Sequence, residues 1–337
     1  VKLRIATRQS PLALAQTRWV AERLKAHRPD LEIEEVHLVT KGDRVLDQPL
    51  AKIGGKGLFI TEVEAALVDG RADLAVHSMK DVPDRLADGM AILCVPERED
   101  PRDVLVTADG RQLSELTRGA TIGTSSLRRS CQLRAARPDV RFAVLRGNVG
   151  TRLGKLDRGD FDAIVLAYAG LRRLGLHTDR AFWAIPPETS LPAVGQGALG
   201  IEGRADDREL LALLGPLEHG PTRLAVEAER GYLGRLQGSC TTPIAAFARF
   251  DDDGQTRMRI DGMVGSVDGD RVLTASVDGY VDARDHAERL QQAMRMGVEL
   301  AEMQLDRGAA ELIAEAKQAE DPYAMGPYGP NGGGTRH

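Results

Sequence analysis

A local plan recurs along this chain: a short apolar run, an abrupt change to Ser, Arg, Gly or Asn, and then a helical period. Lys2 to Thr7 alternates Leu3 and Ile5 as a strand does, and Arg8-Gln9-Ser10-Pro11 follows. Ser10 is a good helix cap and Pro11 a good first helical residue. Leu14, Ala21 and Leu24 then recur at helical spacing up to Pro29, and Leu31 to Thr40 predicts a second strand. A strand–helix–strand unit implies parallel strands, so their polar ends share one edge of a sheet. Ligands of open α/β sheets gather beyond that edge. Asp73-Leu74-Ala75-Val76-His77-Ser78-Met79-Lys80-Asp81-Val82-Pro83 follows the same plan, with Pro83 forbidding easy continuation in a sheet. Ser78, Lys80 and Asp81 therefore fall at the same edge as Arg8 and Ser10. Alone, the stretch also reads as a solvated charged loop; two polar clusters converging from distant positions favour a site.

Ala91 to Val95 predicts another strand with Cys94 in the core, and the turn-rich segment from Pro96 to Pro101 predicts a crossover to a second domain. There the plan returns. Thr121-Ile122-Gly123 ends a strand, and Thr124-Ser125-Ser126-Leu127-Arg128-Arg129 opens a helix that runs to Pro138. Arg141 to Leu145 is a strand ending in Arg146-Gly147-Asn148-Val149-Gly150-Thr151-Arg152, followed by a short helix closed by Gly159. Phe161 to Ala167 is a buried strand ending near Gly170-Leu171-Arg172-Arg173. A helix N-terminus offers unpaired N–H groups to an anion, and arginine adds a planar fork that matches a carboxylate. Any one of these arginines reads as surface charge. Arg128, Arg129, Arg146, Arg152 and Arg173 at successive strand ends predict a mouth for a polyanion with carboxylate or phosphate groups.

Leu191 to Ile201 is Gly-rich and then apolar, a crossover back to the first domain in which Gln196 either reaches the cleft or bonds the local backbone. Ala51-Lys52-Ile53-Gly54-Gly55-Lys56-Gly57-Leu58-Phe59 looks like a phosphate loop, but Gly57 stands where a P-loop has Ser or Thr. It reads as a mobile basic loop near the cleft or as a plain turn before a helix bearing Phe59, Val63, Ala66 and Leu67. From Pro221 a helix runs through Leu224, Ala228 and Tyr232 and breaks at Gly238-Ser239-Cys240-Thr241-Thr242-Pro243. Strands at Ile244 to Phe250, Met258 to Val264 and Arg271 to Tyr280, then a helix from about Ala283 to Leu305, predict a small α+β third domain.

Composition narrows the function classes. A formal net charge of -5 and 4% aromatic residues argue against a protein that coats or stacks on nucleic acid. The three cysteines, Cys94, Cys131 and Cys240, form no CxxC pair, and the seven histidines form no HExxH, so neither a disulfide framework nor a catalytic metal is expected. No secretory leader and no membrane-length apolar run is legible, which predicts a cytoplasmic protein with no membrane partner. Cys131 lies on a helix, where burial is the simple account, whereas Cys240 lies in a loop of small polar residues, where a thiol is accessible.

Several long blocks resemble the porphobilinogen deaminase family: Arg4 to Leu14, Gly54 to Phe59, Ala75 to Pro83, Gly123 to Arg129, Leu145 to Leu153 and Leu191 to Ala198. The resemblance runs from Arg4 to about Ala310. It implies an α/β fold with two periplasmic-binding-protein-like domains around a cleft, plus a smaller α+β C-terminal domain with a three-stranded antiparallel sheet. The implied boundaries are 1–96 with 197–216, 101–190, 220–318, and a flexible tail at 319–337. The implied activity is a transferase that joins four porphobilinogen molecules head to tail, releasing ammonia each time, to give hydroxymethylbilane for porphyrin and haem biosynthesis. The implied cofactor is a dipyrromethane held by a thioether to Cys240, and a monomer is implied.

By the same resemblance Asp81 is catalytic, and Ser78, Lys80, Asp81, Thr124, Ser125, Ser126, Arg128, Arg129 and Arg146 bind the cofactor. Arg8, Ser10, Arg146, Asn148, Arg152, Arg173 and Gln196 bind substrate, and Lys52, Lys56 and Phe59 fall on a covering loop. Chemistry agrees: each pyrrole carries an acetate and a propionate, which suits arginines, and loss of ammonia leaves a cationic azafulvene, which a carboxylate steadies. Ser239 departs from the family's usual second glycine beside the cysteine, with little effect expected. The competing reading is a non-catalytic two-domain binding protein for a small polycarboxylate, because fold does not dictate function.

Overall fold

Ser10 and Pro11 start the first helix as their chemistry demands. Ser10 is extended and its hydroxyl accepts the Ala13 N–H at 3.2 Å, so β1 (Lys2–Arg8) turns directly into α1 (Pro11–His27). β2 (Glu32–Leu38) pairs with β1 in parallel along its whole length. The computed structural model describes residues 2–40, 60–178, 180–238, 242–251 and 256–319. The basic loop with Lys52, Lys56 and Phe59 lies outside the described residues, as do Ser239, Cys240, Thr241 and the tail from 320 onward.

The first unit continues with α2 (Thr61–Val68), β3 (Leu74–Ser78) and β4 (Met90–Cys94). A crossover leads to β5 (Asp103–Val106), β6 (Thr121–Gly123), α3 (Leu127–Ala136) and β7 (Arg141–Ala143). Then come α4 (Val149–Asp157), β8 (Ala163–Ala167), α5 (Tyr168–Arg173) and β9 (Phe182–Ala184). A second crossover returns the chain to β10 (Leu199–Arg204) and α6 (Arg208–Leu214).

The two five-stranded sheets share one plan, β2-β1-β3-β10-β4 and β7-β6-β8-β5-β9. β1 is parallel to β2 and β3, and β6 to β7 and β8. β10 and β5 run antiparallel to both of their neighbours. Neither β5 nor β9 is legible in the sequence, and β10 reads there as crossover. Each stands next to a crossover, so the chain's path sets its direction; β5 and β9 are also too short to show a period. Leu3, Ile5, Val20, Leu24, Leu74 and Ile201 fill one face of the first sheet, and Ala6, Val63, Ala66 and Ala75 the other. Burial on both faces is why these strands read as apolar runs.

The crossovers run side by side. Glu99 N–H donates to the Gly197 carbonyl at 3.2 Å. Gly197 has φ +88°, and a Cβ there would overlap the Glu99 carbonyl oxygen, so both conformation and space demand glycine.

The third unit comprises α7 (Gly220–Leu236), β11 (Ile244–Phe250), β12 (Arg257–Gly265), β13 (Val272–Tyr280), α8 (His286–Leu305) and α9 (Ala309–Gln318). Its three strands form the expected antiparallel sheet, and α9 is an addition to the sequence reading. One buried carboxylate joins this unit to both crossovers. Glu229 on α7 accepts Arg98 Nη1 at 2.6 Å, Gly195 N–H at 2.6 Å and Ala248 N–H at 2.9 Å. Breaking a buried pair of this kind costs about 3–5 kcal/mol, so the point is a strong tie between the three units.

Candidate active site

β3 ends at Ser78, and Met79–Asp81 make one 3-10 turn. Buried Met79 anchors the turn, which leaves Lys80 half-buried and Asp81 exposed. Gln16 Nε2 donates to Ser78 Oγ at 2.9 Å and so ties α1 to β3. The polar ends of β1 and β3 thereby enclose a recess of about 70 Å³, whose lining includes Arg8, Ser10, Gln16, His77, Ser78 and Asp81. Sequence reasoning brought Arg8, Ser10, Ser78 and Asp81 together and passed over His77. His77 Nε2 lies 2.8 Å from Glu202 Oε2, with both side chains buried. Glu202 comes from β10, so the pair had no signal in a sequence where that strand was not read.

Across from this recess, Arg128 and Arg129 occupy the first turn of α3, and both are buried. They grip a carboxylate of their own chain. Asp103 Oδ2 accepts Arg128 Nη1 at 2.7 Å, and Oδ1 accepts Arg129 Nε at 3.0 Å and Nη2 at 2.8 Å. Arg128 Nη1 also donates to Leu191 O at 2.7 Å, and Arg129 Nη1 to Val165 O at 3.0 Å. Burial pushes the Asp103 carboxyl up, but the two guanidinium groups outweigh it and hold the carboxyl far below the usual range. Burial keeps the Arg128 guanidinium below its ordinary value despite Asp103. Asp103 is the residue that sequence reasoning missed; its signal, a lone carboxylate opening an apolar strand, needed β5 to be recognised first.

Gln196 is buried, and its Nε2 donates to Pro101 O at 2.7 Å and Asp103 Oδ1 at 2.9 Å. Local bonding therefore accounts for its amide nitrogen. Its Oε1 is buried with no hydrogen-bond partner among the described residues.

The other predicted residues divide by role. Ser125 Oγ donates to Leu145 O at 2.6 Å, and Thr124 Oγ1 accepts Ser126 N–H at 3.2 Å; these bonds shape the loop before α3. Ser126 is the N-cap of α3 but makes no capping bond, which leaves the first turn open to an anion. Asn148 caps α4 by accepting Thr151 N–H at 2.9 Å. Arg152 Nε donates to Gly147 O at 2.7 Å. Burial pulls the Arg152 guanidinium down to about 10, helped by the charges of Arg129 and Arg146, so these three arginines stand within electrostatic reach of one another. Arg173 Nη2 donates to Gly197 O at 2.6 Å, and Arg173 lines a second recess of about 270 Å³ with Trp19, Arg23, Glu97, Arg98 and Glu99.

Lys80 connects the two walls. Burial pulls its ammonium down to about 8; Asp81 and Asp103 oppose that shift, and Arg129 and Arg128 add to it. Relative to an unfolded lysine, the folded chain sheds this proton first. The cost of holding the charge is full below about pH 8 and fades as pH rises toward 10.5. A carboxylate ligand binds the charged form, so apoprotein binding of a pyrrole dicarboxylate should weaken above about pH 8 with uptake of one proton. Calorimetry at pH 9 in two buffers of different ionisation enthalpy measures that uptake, which is about half a proton at pH 8 and approaches one at pH 9. Lys80→Met should abolish it, and a flat affinity between pH 7 and 9 in the parent protein would remove Lys80 from the site.

The site that emerges belongs to the polycarboxylate-handling α/β class: two sheets of like topology, with a carboxylate and an ammonium on one wall and guanidinium groups on the other. Comparison with known proteins carries this further. The family model described as porphobilinogen deaminase, dipyromethane cofactor binding domain matches residues 3–212, and the porphobilinogen deaminase C-terminal domain matches 223–306. The chain belongs to the porphobilinogen deaminase family. It is accordingly a transferase of tetrapyrrole biosynthesis that forms hydroxymethylbilane from porphobilinogen, and it carries a dipyrromethane-binding domain.

Similar solved structures include the Bordetella pertussis BvgS VFT2 domain, at 15% identity over 63% of this chain and 84% of that one, with a TM-score of 0.38. A Salmonella typhimurium periplasmic binding protein of high arginine specificity matches at 15% identity over 64% and 91%, with a TM-score of 0.37. The Escherichia coli aliphatic sulphonate binding protein matches at 16% over 70% of each chain, with a TM-score of 0.36. Likeness at these scores carries no argument about this chain.

The residues present fit a dipyrromethane. Its acetates and propionates call for cations, which Lys80 and the arginines supply, and its ring N–H groups call for acceptors, which Asp81 and the orphaned Gln196 Oε1 supply.

Proposed function

We propose that Asp81 is the catalytic residue and that Cys240 holds the dipyrromethane by a thioether. One observation carries the reading: Asp81 lines one recess with Arg8, Ser10 and Ser78 where the parallel strands β1 and β3 end. When bound, the dipyrromethane supplies the electron-rich pyrrole end to which new units are added. Asp81 stands exposed at the recess, where its carboxylate stabilises positive charge that develops at a pyrrole N–H as ammonia leaves. The same oxygen atoms hold and pass on the proton released when the new bond forms.

Lys80, Arg128, Arg129 and Arg146, with Ser78, Thr124, Ser125 and Ser126, take the cofactor's side of the cleft. Arg8, Ser10, Asn148, Arg152, Arg173 and Gln196 take the incoming pyrrole, and Lys52, Lys56 and Phe59 cover it. The domains divide at 1–96 with 197–216, 101–190 and 220–318, and the protein works as a cytoplasmic monomer without nucleic acid or membrane. A net charge of -5 supports the last point, as do the described helices, none of which is long and apolar enough to cross a membrane.

The test is stoichiometry. Purified protein mixed with porphobilinogen should release one ammonia per pyrrole consumed. Pyrrole binding with no ammonia released would favour the plain polycarboxylate-binding reading instead.

A further inference from the structure

Arg128 and Arg129 pose a physical problem. Two guanidinium groups on adjacent residues, both buried, sit in the first turn of a helix whose N-terminus is itself electropositive. Like charges in such a place repel each other, and each loses hydration. Asp103 resolves this with one carboxylate, which is 0% exposed and meets both guanidinium groups. Its Oδ1 also accepts Gln196 Nε2, so the same side chain reaches β5, α3 and the second crossover.

Gln196 gains an orientation from this contact. Its two neighbours at Nε2, the Asp103 carboxylate and the Pro101 carbonyl, are both acceptors. The NH2 end must face them. The amide oxygen is therefore turned away, buried, and left as an acceptor with no partner among the described residues.

We propose that Asp103 is a positioning residue for the reaction: it holds Arg128 and Arg129 aimed for pyrrole carboxylates, and it presents Gln196 as an acceptor for a pyrrole N–H. This rests on the reading that these residues meet the cofactor and substrate. Asp103 touches neither. It engages Nη1 of Arg128 and the Nε/Nη2 edge of Arg129, so each arginine approaches a ligand from a fixed direction, and it leaves the trio with a single net positive charge. Asparagine at this position keeps the shape but loses the charge, and it turns one end of the side chain into a donor facing donors.

The decisive comparison sets Asp103→Asn against Val104→Ala. Val104 is the next residue of β5, fully buried in the core and outside the site, so its truncation controls for lost stability. Both variants are purified as holoprotein, and dipyrromethane content by intact mass, kcat, KM for porphobilinogen and Tm are measured. Asp103→Asn should raise KM about tenfold beyond Val104→Ala, or lower dipyrromethane content by a similar factor, on the scale of one charge-assisted hydrogen bond. Equal KM and equal content in the two variants would overturn the proposal.

Should Asp103→Asn fail to fold, hydrogen exchange of the Arg129 Nε–H in the parent protein decides by nitrogen NMR. Protection in both apo and holo states is expected, and free exchange in either would overturn the role. Arg128→Gln separates the two levels. If it retains full dipyrromethane content and KM, the underlying assignment of the arginines fails. If it loses them while Asp103→Asn does not, only the role of Asp103 fails.

Discussion

Cys240→Ser should yield a folded protein whose intact mass is that of the bare chain, with no turnover of porphobilinogen. The parent protein should carry the mass of two linked pyrrole units. Serine's hydroxyl is a far weaker nucleophile than a thiolate near neutral pH, so the carbon–sulfur bond has no ready substitute. The other two cysteines are poor candidates for physical reasons. Cys94 is buried in β4 and donates to Leu214 O at 3.7 Å, and burial pushes its thiol far above the ordinary value. Cys131 is fully buried on α3, and burial, with Asp268 adding, raises its thiol to about 12. Cys94→Ser and Cys131→Ser should therefore keep the adduct at some cost in stability, since each buries a hydroxyl among apolar groups. An adduct of full mass on the Cys240→Ser protein would disprove the attachment.

Asp81→Ala should lower kcat by about 10²–10³ while the adduct remains in place, the loss expected when a single electrostatic stabiliser is removed. The two effects separate because Asp81 is exposed at the end of its turn, whereas the partners proposed for the cofactor's carboxylates are Lys80 and the arginines. Asp81→Glu should recover part of the loss, because the charge returns on a longer arm. Single-turnover measurement on holoprotein reads the chemical step directly. Turnover within threefold of the parent would remove Asp81 from the role, whatever the state of the cofactor.

Much of this site was legible without coordinates because the plan that builds it is local. Ser10 caps the helix it was expected to cap, and β1 and β3 end side by side, so Arg8, Ser10, Ser78 and Asp81 meet where the βαβ rule brings them. Asn148 likewise caps its helix, a role its place before Val149 and Gly150 allows but does not reveal. The arginines were found as residues, but their bonds were not. Arg128 and Arg129 were expected to face an anion from outside, and in this structure they hold one from inside. Arg173, expected at the same mouth, donates to the Gly197 carbonyl and lines a recess at the crossovers.

From sequence alone came the strands with parallel neighbours, most of the helices, the Ser10 cap, the polar strand ends and the three-stranded C-terminal sheet. Each of these depends on residues within about one helical turn or one strand of each other, where periodicity and capping chemistry act. Tertiary structure alone decided that β5 and β10 run against their neighbours, that Glu202 stands under His77, and that Asp103 binds two arginines and a glutamine. Those partners are separated by 25 to 125 residues, and a carboxylate's choice among several cations is made by burial and distance, quantities that exist only once the chain has folded.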